Sequence, residues 1–174
     1  MKNVLILTTY FPPAAHVGAK RIAKFCKYLP QYGWNPIIIT RKTSQFHLLD
    51  ETLNENLSPD MQVYRVGAEG RGNQTNKSFA KKQLCKNLIK AILAKVYDYL
   101  IFYDYFWIMQ AFMQARKIIK DNDIKVVFTT FPNAEPLIVG FLLKYFLRIK
   151  WVTEFRDPWV LMQCNYKTPA TQCI

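Results

Sequence analysis

The sequence predicts an α/β fold, a parallel sheet flanked by helices on both faces. Short apolar runs without helical period alternate with segments of helical period. Pro, Gly and hydroxyl or amide residues punctuate the joins. The chain has 174 residues, the length of one domain, and 51% of them are apolar, enough for a sizeable core.

Asn3 to Thr8 (NVLILT) reads as a strand buried on both faces, and Tyr10-Phe11-Pro12-Pro13 stops it because neither Pro donates to a ladder. Gly18 to Leu29 is predicted to be a helix. Its apolar face is Ala19, Ile22, Ala23, Phe25, Cys26 and Leu29, with Lys20, Lys24 and Lys27 turned away, and Pro30 and Gly33 end it. Pro36 to Thr40 (PIIIT) is a second buried strand, completing one βαβ unit with a right-handed crossover. Arg41 to Asp60 is a long polar loop with room for a short helix. Gln62 to Val66 alternates and reads as a third strand.

Gly67 to Ser78 is rich in Gly, Asn and Gln and reads as a loop. Phe79 to Val96 is predicted helical, with Lys82, Lys86 and Lys90 on one side and Leu84, Leu88, Ile92 and Leu93 on the other. An aromatic-rich stretch, Asp98 to Phe106, leads into a helix over Trp107 to Lys120. Ile124 to Thr130 is the fourth strand, Glu135 to Leu147 an apolar helix, and Lys150 to Phe155 the fifth strand. The alternation amounts to a Rossmann-like sheet. No internal repeat and no composition break divide it.

Composition bounds the chemistry. The net charge is +12, from 24 Lys and Arg against 12 Asp and Glu, which calls for nucleic acid, an anionic membrane surface or a phosphorylated substrate as partner. Aromatics at 15% suit stacking or a membrane interface. No helix-turn-helix, zinc-finger or RNP-like motif is present, and the Lys residues are spread over several helices, so nucleic acid is not expected. Cys26, Cys85, Cys164 and Cys173 lack metal-ligand spacing and the only histidines are His16 and His47, so no metal is expected and the thiols read as free in a reducing cytoplasm. Val4 to Leu7 is too short for a signal-peptide core. Val96 to Met113, broken by Asp98, Asp104 and Gln110, falls short of the ~20 apolar residues of a spanning helix.

In an open parallel sheet, ligands bind beyond the carboxyl ends of the strands, which directs attention to the loops there. In Thr9 to Gly18 (TYFPPAAHVG), a Gly at the head of a helix lets backbone N–H groups approach an anion, and Arg21 adds a cation one turn on. The same residues also make an ordinary strand-to-helix turn. His16 in this loop is either a ligand contact or a hydrogen-bonded structural histidine, while His47 reads as a solvated loop residue. In Thr129 to Pro136, Thr129, Thr130, Asn133 and Glu135 either line a polar pocket or, for Thr130 or Asn133, cap the next helix. In Glu154 to Trp159 (EFRDPW), Glu154, Arg156 and Asp157 put charge at the binding edge, and Trp159 suits a sugar face or a pocket wall. A nicotinamide dehydrogenase fits poorly: G-x-G-x-x-G is absent, and Thr40-Arg41-Lys42 stands where the acidic ribose ligand belongs.

These segments together resemble the N-terminal domain of family-four glycosyltransferases. The residues that carry the resemblance are the opening strand with YFPP, the Gly18 to Arg21 helix start, KYLPQYGW before PIIIT, the turn FTTFPNAEP, and WVTEFRDPW, which is similar to the D-F-R-D-P-W of many relatives. The similarity runs over about residues 2–160. It implies one half of a GT-B fold: residues 1–160 as the acceptor-side domain and 161–174 as a tail that starts an interdomain region. It implies a retaining transfer from a nucleotide-sugar to a glycan or lipid-linked acceptor, without a bound metal or cofactor, in bacterial-type surface polysaccharide synthesis. Pro13, His16, Gly18 and Arg21 would form the donor-phosphate loop. Thr130, Pro132, Asn133, Glu154, Arg156 and Trp159 would lie on the acceptor side, with Asp157 as the candidate catalytic carboxylate. The chain departs from relatives at His16, where a second Gly is common, and at Glu154, where Asp is common. Because it stops at Ile174, the isolated chain is expected to need a C-terminal donor-binding domain for full activity.

The Lys82, Lys86 and Lys90 stripe resembles an interfacial basic helix, so a cytoplasmic protein peripheral to the inner membrane face is one expectation; a solvated helix face is the other. The competing functional reading is a non-catalytic, membrane-associated binding or scaffold module on the same fold.

Overall fold

The apolar run at the N-terminus becomes the central strand of a five-stranded parallel sheet. The computed structural model of the protein describes residues 1–67 and 104–155. Within them β1 (Lys2–Leu7), β2 (Trp34–Arg41), β3 (Gln62–Val66), β4 (Val126–Thr130) and β5 (Lys150–Glu154) lie in the order β3-β2-β1-β4-β5. Every neighbouring pair is parallel, as the fold class predicted.

Side-chain alternation on β1 and β2 divides the core in two. Leu5, Leu7, Ile37 and Ile39 face one side and Ile6 and Ile38 the other. The Ile6 side is covered by α1 (Val17–Tyr28) through Ile22 and Cys26, with Phe11 from the preceding loop. The Leu5 side is covered by α2 (Tyr105–Asp121) and α3 (Ala134–Leu147), whose Trp107, Ala111, Ala115, Val139 and Leu143 are fully buried. The faces follow from handedness. The β1-to-β2 and β3-to-β4 crossovers run in opposite directions along the sheet, so right-handed connections set their helices on opposite sides.

The seating of α3 depends on Gly140. A Cβ there would lie 2.4 Å from Trp151 Nε1 and 2.8 Å from Thr129 Cγ2. Trp151 Nε1 in turn donates to Thr129 Oγ1 at 2.9 Å, and Thr129 and Thr153 share a hydroxyl contact of 3.1 Å. Helix, β4 and β5 are thereby clamped in one register.

The predicted elements recur with shifted ends. β2 starts at Trp34 rather than Pro36, because Lys2 and Asn3 of the neighbouring strand already pair with Trp34 and Asn35. β4 starts at Val126 rather than Ile124. α1 ends at Tyr28, and Leu29, the predicted last residue, opens a 3-10 turn, Leu29–Tyr32, closed by Gly33 at φ 79°. The long loop after β2 holds 3-10 turns at Thr43–Gln45 and Glu51–Asn56. Phe25, assigned to the buried face of α1, is 41% exposed. It stacks on Phe128 of β4 with ring centroids 5.1 Å apart. With Val4, Leu29 and Val152 these rings border an apolar hollow of about 110 Å³ where α1 stops short of β5. The predicted helix over 79–96, with Lys82, Lys86 and Lys90, and the tail over 161–174 lie outside the described residues.

Candidate functional site

Strands β1 and β4 are neighbours in the sheet, but the chain leaves them in opposite directions, β1 toward β2 and β4 toward β5. This is the topological switch point, and a crevice opens beyond the carboxyl ends of such a pair. The crevice is lined from three directions. Thr8, Thr9 and Tyr10 come from the end of β1, His16, Gly18 and Arg21 from the head of α1, and Thr130 to Asn133 from the turn after β4. Its enclosed volume is about 20 Å³, room for about one water molecule.

The loop after β1 is held from below. Its Pro12–Pro13 peptide is cis. The Asp50 amide donates to the Pro13 carbonyl at 2.7 Å and Ala15 donates to Leu48 at 3.0 Å. Arg65 of β3 donates to the Pro12 carbonyl at 2.5 Å. Burial pushes the Arg65 guanidinium below its ordinary pKa, and the charge of Glu51 works in the other direction. Pro13, assigned to the donor-phosphate loop, is therefore buried among these supports and does not line the cleft.

His16 is the N-cap of α1. Its Nδ1 accepts the Gly18 amide at 3.0 Å, and its ring stacks on Tyr10 with centroids 3.9 Å apart. The amide expected to meet an anion is thus taken by the imidazole of the same loop. Arg21 is ion-paired with Glu154 at the end of β5, which links the donor-phosphate loop to the acceptor-side strand. Thr130 Oγ1 lies 3.4 Å from Thr8 Oγ1 and so bridges the two switch-point strands instead of capping α3. The N-cap of α3 is Asn133, and its side chain makes no capping hydrogen bond. Thr9 Oγ1 is buried at the cleft and has no hydrogen-bond partner among the described residues.

Glu135 does not join this lining. It turns to Arg41 at the end of β2, whose guanidinium also meets Asp104 at 2.6 Å; the Glu135 distance is 3.1 Å. Asp104 caps α2 through the Trp107 amide at 3.0 Å, and the Arg41 guanidinium lies 5.3 Å from the Trp107 ring centroid. Thr9 and Tyr10 were expected only as members of the loop to Gly18, and Thr8 and this cluster were not expected from the sequence. Its signals are an Arg at a strand end, an Asp opening a helix, and polar residues closing an otherwise apolar strand. Arg156, Asp157 and Trp159 lie outside the described residues; of their motif, Glu154 and Phe155 are described. Among the described residues no three His, Cys, Asp or Glu side chains converge as a metal would require, and no helix is long and apolar enough to cross a membrane.

No family model matches the chain, and no curated protein matches it. Among solved structures the chain is similar to the C-terminal domain of a hydrogenase from Pyrococcus furiosus, with 13% identity and a TM-score of 0.51 over 88% of this chain and 91% of that one. A glycosyltransferase from Rickettsia africae is 16% identical with a TM-score of 0.46, and MurG from Acinetobacter baumannii is 17% identical with a TM-score of 0.48. Each of these two matches covers 95% of this chain, which spans 34% of the Rickettsia protein and 39% of MurG. Likeness at such identities concerns the fold, and folds of this class serve many activities.

Proposed function

We propose that the chain is the N-terminal, acceptor-side half of a two-domain GT-B glycosyltransferase similar to family four. In this reading a sugar passes from a nucleotide-sugar to a glycan or lipid-linked acceptor with retention and without a bound metal. The work belongs to surface polysaccharide synthesis at the cytoplasmic side of a membrane, with the Lys82, Lys86 and Lys90 stripe toward the anionic leaflet. The observation that carries the reading is the cleft at the switch point. Residues of the family-like motifs around Gly18, Arg21 and Thr130 meet there, although they are more than a hundred positions apart.

The cleft mixes apolar walls with polar groups; among the described residues it carries one cation, Arg21, with the unpartnered hydroxyl of Thr9 beside it. A diphosphate fits that chemistry: an oxyanion accepts from a guanidinium and a hydroxyl. A sugar nucleotide fills several hundred cubic ångströms, on the order of a ligand pocket, so this cleft is one wall. A donor-binding domain, on the same or a separate chain, supplies the other. Asp157, Arg156 and Trp159 follow β5 and are assigned the acceptor side, with Asp157 as the reacting carboxylate.

The test is an amide NMR titration with inorganic pyrophosphate and with a panel of nucleotide-sugars. Shifts confined to Thr9, Gly18, Arg21 and Thr130 are expected. No perturbation at millimolar pyrophosphate, or one located elsewhere on the molecule, ends the proposal.

A further inference from the structure

We infer that His16 is a proton-operated cover on the anion site of the cleft. Its neutral imidazole occupies the Gly18 amide, and its protonation hands that amide to an incoming oxyanion, so that anion and proton are taken up together. This role rests on the sugar-transfer reading, which puts a diphosphate at the cleft.

The cover is visible in the start of α1. A backbone N–H can only donate, so the His16 Nδ1 that accepts the Gly18 amide at 3.0 Å carries no proton. The ring stands in the space that Gly18 leaves beside its backbone: a Cβ on Gly18 would lie 3.0 Å from Nδ1 and 3.5 Å from Cε1. The first turn of α1 has no acidic residue, so the imidazole is the group that complements the helix N-terminus. Two donors beside it lack an acceptor. Thr9 is 5% exposed and its hydroxyl is buried at the cleft without a partner among the described residues. Arg21 Nε is buried without a partner as well, although its guanidinium meets Glu154 through Nη1. Together with the Gly18 amide they form a donor set that fits an oxyanion.

Protonation puts a hydrogen on Nδ1 and turns two donors toward each other, so the ring leaves Gly18. The backbone stays. His16 N donates to Ala14 at 2.8 Å, and His16 O accepts from Ala19 at 2.9 Å and from Lys20 at 3.3 Å. What gives way is the side chain and its stack on Tyr10. Its departure frees the amide, widens a cleft with an enclosed volume of about 20 Å³, and adds a positive charge to the loop. Imidazole is the side chain that titrates between about pH 5 and pH 8. Among the described residues, the other titratable or charged groups on the elements around this loop are Tyr10 at the end of β1, Lys20 and Arg21 on α1, Glu154 on β5, Arg65 on β3, and His47, Asp50 and Glu51 after β2. Glu154 is the rival to separate, since neutralising it releases Arg21 and also strengthens anion binding.

The probe is sulfate, which keeps its charge over this range, whereas pyrophosphate takes up protons of its own. An amide NMR titration of the full chain is run at about pH 8 and about pH 5.5. The affinity read at Gly18 is expected to be about tenfold tighter at the lower pH, because the open fraction scales the apparent affinity. Calorimetry near neutral pH in two buffers of different ionisation enthalpy should show net proton uptake on binding. His16→Asn keeps a cap that cannot titrate, so its affinity is weak and the same at both pH values. His16→Ala has no cap and binds more tightly than the native protein at the higher pH, again without pH dependence. Glu154→Gln and His47→Asn keep the dependence. The inference is overturned by Gly18 shifts of equal affinity at the two pH values, by a pH dependence that survives His16→Asn, or by one that Glu154→Gln or His47→Asn abolishes. Absence of any Gly18 shift with sulfate and with pyrophosphate at both pH values ends the diphosphate reading too, whereas pH-independent binding leaves that reading standing.

Discussion

Arg21, on the cleft wall, and Glu154 at the end of β5 are ion-paired, joining positions 133 residues apart. Both side chains are about one-third exposed, so the pair contributes little to stability, less than about 1 kcal/mol. Its weight lies in occupancy: an arriving phosphate competes with a resident carboxylate. Glu154→Gln is therefore expected to tighten pyrophosphate binding up to about fivefold, and Arg21→Gln to abolish it, with unfolding free energies nearly unchanged. Calorimetric titration checks both, and weaker binding by Glu154→Gln rejects the competition.

Arg41 is the cation shared by Asp104 and Glu135 and buttressed by Trp107. Arg41→Met removes it and leaves Glu135, 9% exposed, as a nearly buried carboxylate without a cation. A loss of about 3 kcal/mol in urea unfolding is expected. Adding Glu135→Gln and Asp104→Asn should restore part of that loss. A single-variant loss below about 1 kcal/mol would mean that solvent already screens the cluster.

Gly140→Ala places a methyl group against Trp151 and Thr129. Overpacking of this kind costs about 1–3 kcal/mol. Because Trp151 Nε1 donates to Thr129, the indole hydrogen bond should also lengthen, visible as a shifted indole proton resonance. Full stability with an unmoved indole signal contradicts the close seating of α3.

His16→Ala removes the cap on Gly18 and the stacking on Tyr10. About 1–2 kcal/mol should be lost, while His16→Asn, which can still cap, recovers about half. The Ala variant frees the Gly18 amide, so its pyrophosphate-induced shift should grow. An unchanged Gly18 shift in that variant argues that the amide does not face the ligand.

Burial pushes the Cys26 thiol from 9.0 to about 12. Between those values the unfolded chain has lost its thiol proton while the folded chain keeps it, so stability falls as pH rises through the window and is fully present below it. Chemical unfolding of Cys26→Ala should show a shallower decline above pH 9 by about 1.4 kcal/mol per pH unit. Parallel slopes in the two proteins would place the thiol in contact with water.

The sheet was legible because its strands are unlike anything else in the chain. Val4 to Leu7 and Ile37 to Ile39 are apolar at every position, the pattern of burial on both faces, and parallel pairing followed from alternation with helices. Strand ends were less legible, since Trp34 and Val126 are set by pairing to β1, a contact distant in sequence. Gly18, Arg21 and Thr130 were found because loops at carboxyl ends converge by topology. The partners were not: His16 binding Gly18, Glu154 binding Arg21 and Arg41 binding Glu135 depend on rotamers that no local pattern encodes. The exposure of Phe25 was missed because helical period reports which side of α1 is apolar and not how wide a strip of sheet it covers.

The sheet is clad unequally. Among the described residues two helices lie over the Leu5 side, whereas α1 is the one helix over the Ile6 side and stops short of β5. The element carrying Gly18 and Arg21 thus rests on the thinner of the two layers. Opening that layer requires undoing only the smaller apolar cluster around Ile22 and Cys26, so amides of α1 exchange with solvent before those of α2 and α3. Adjustability at the cleft is in this way built into how much of the sheet each layer spans, and the strands beneath keep their register while the cation moves.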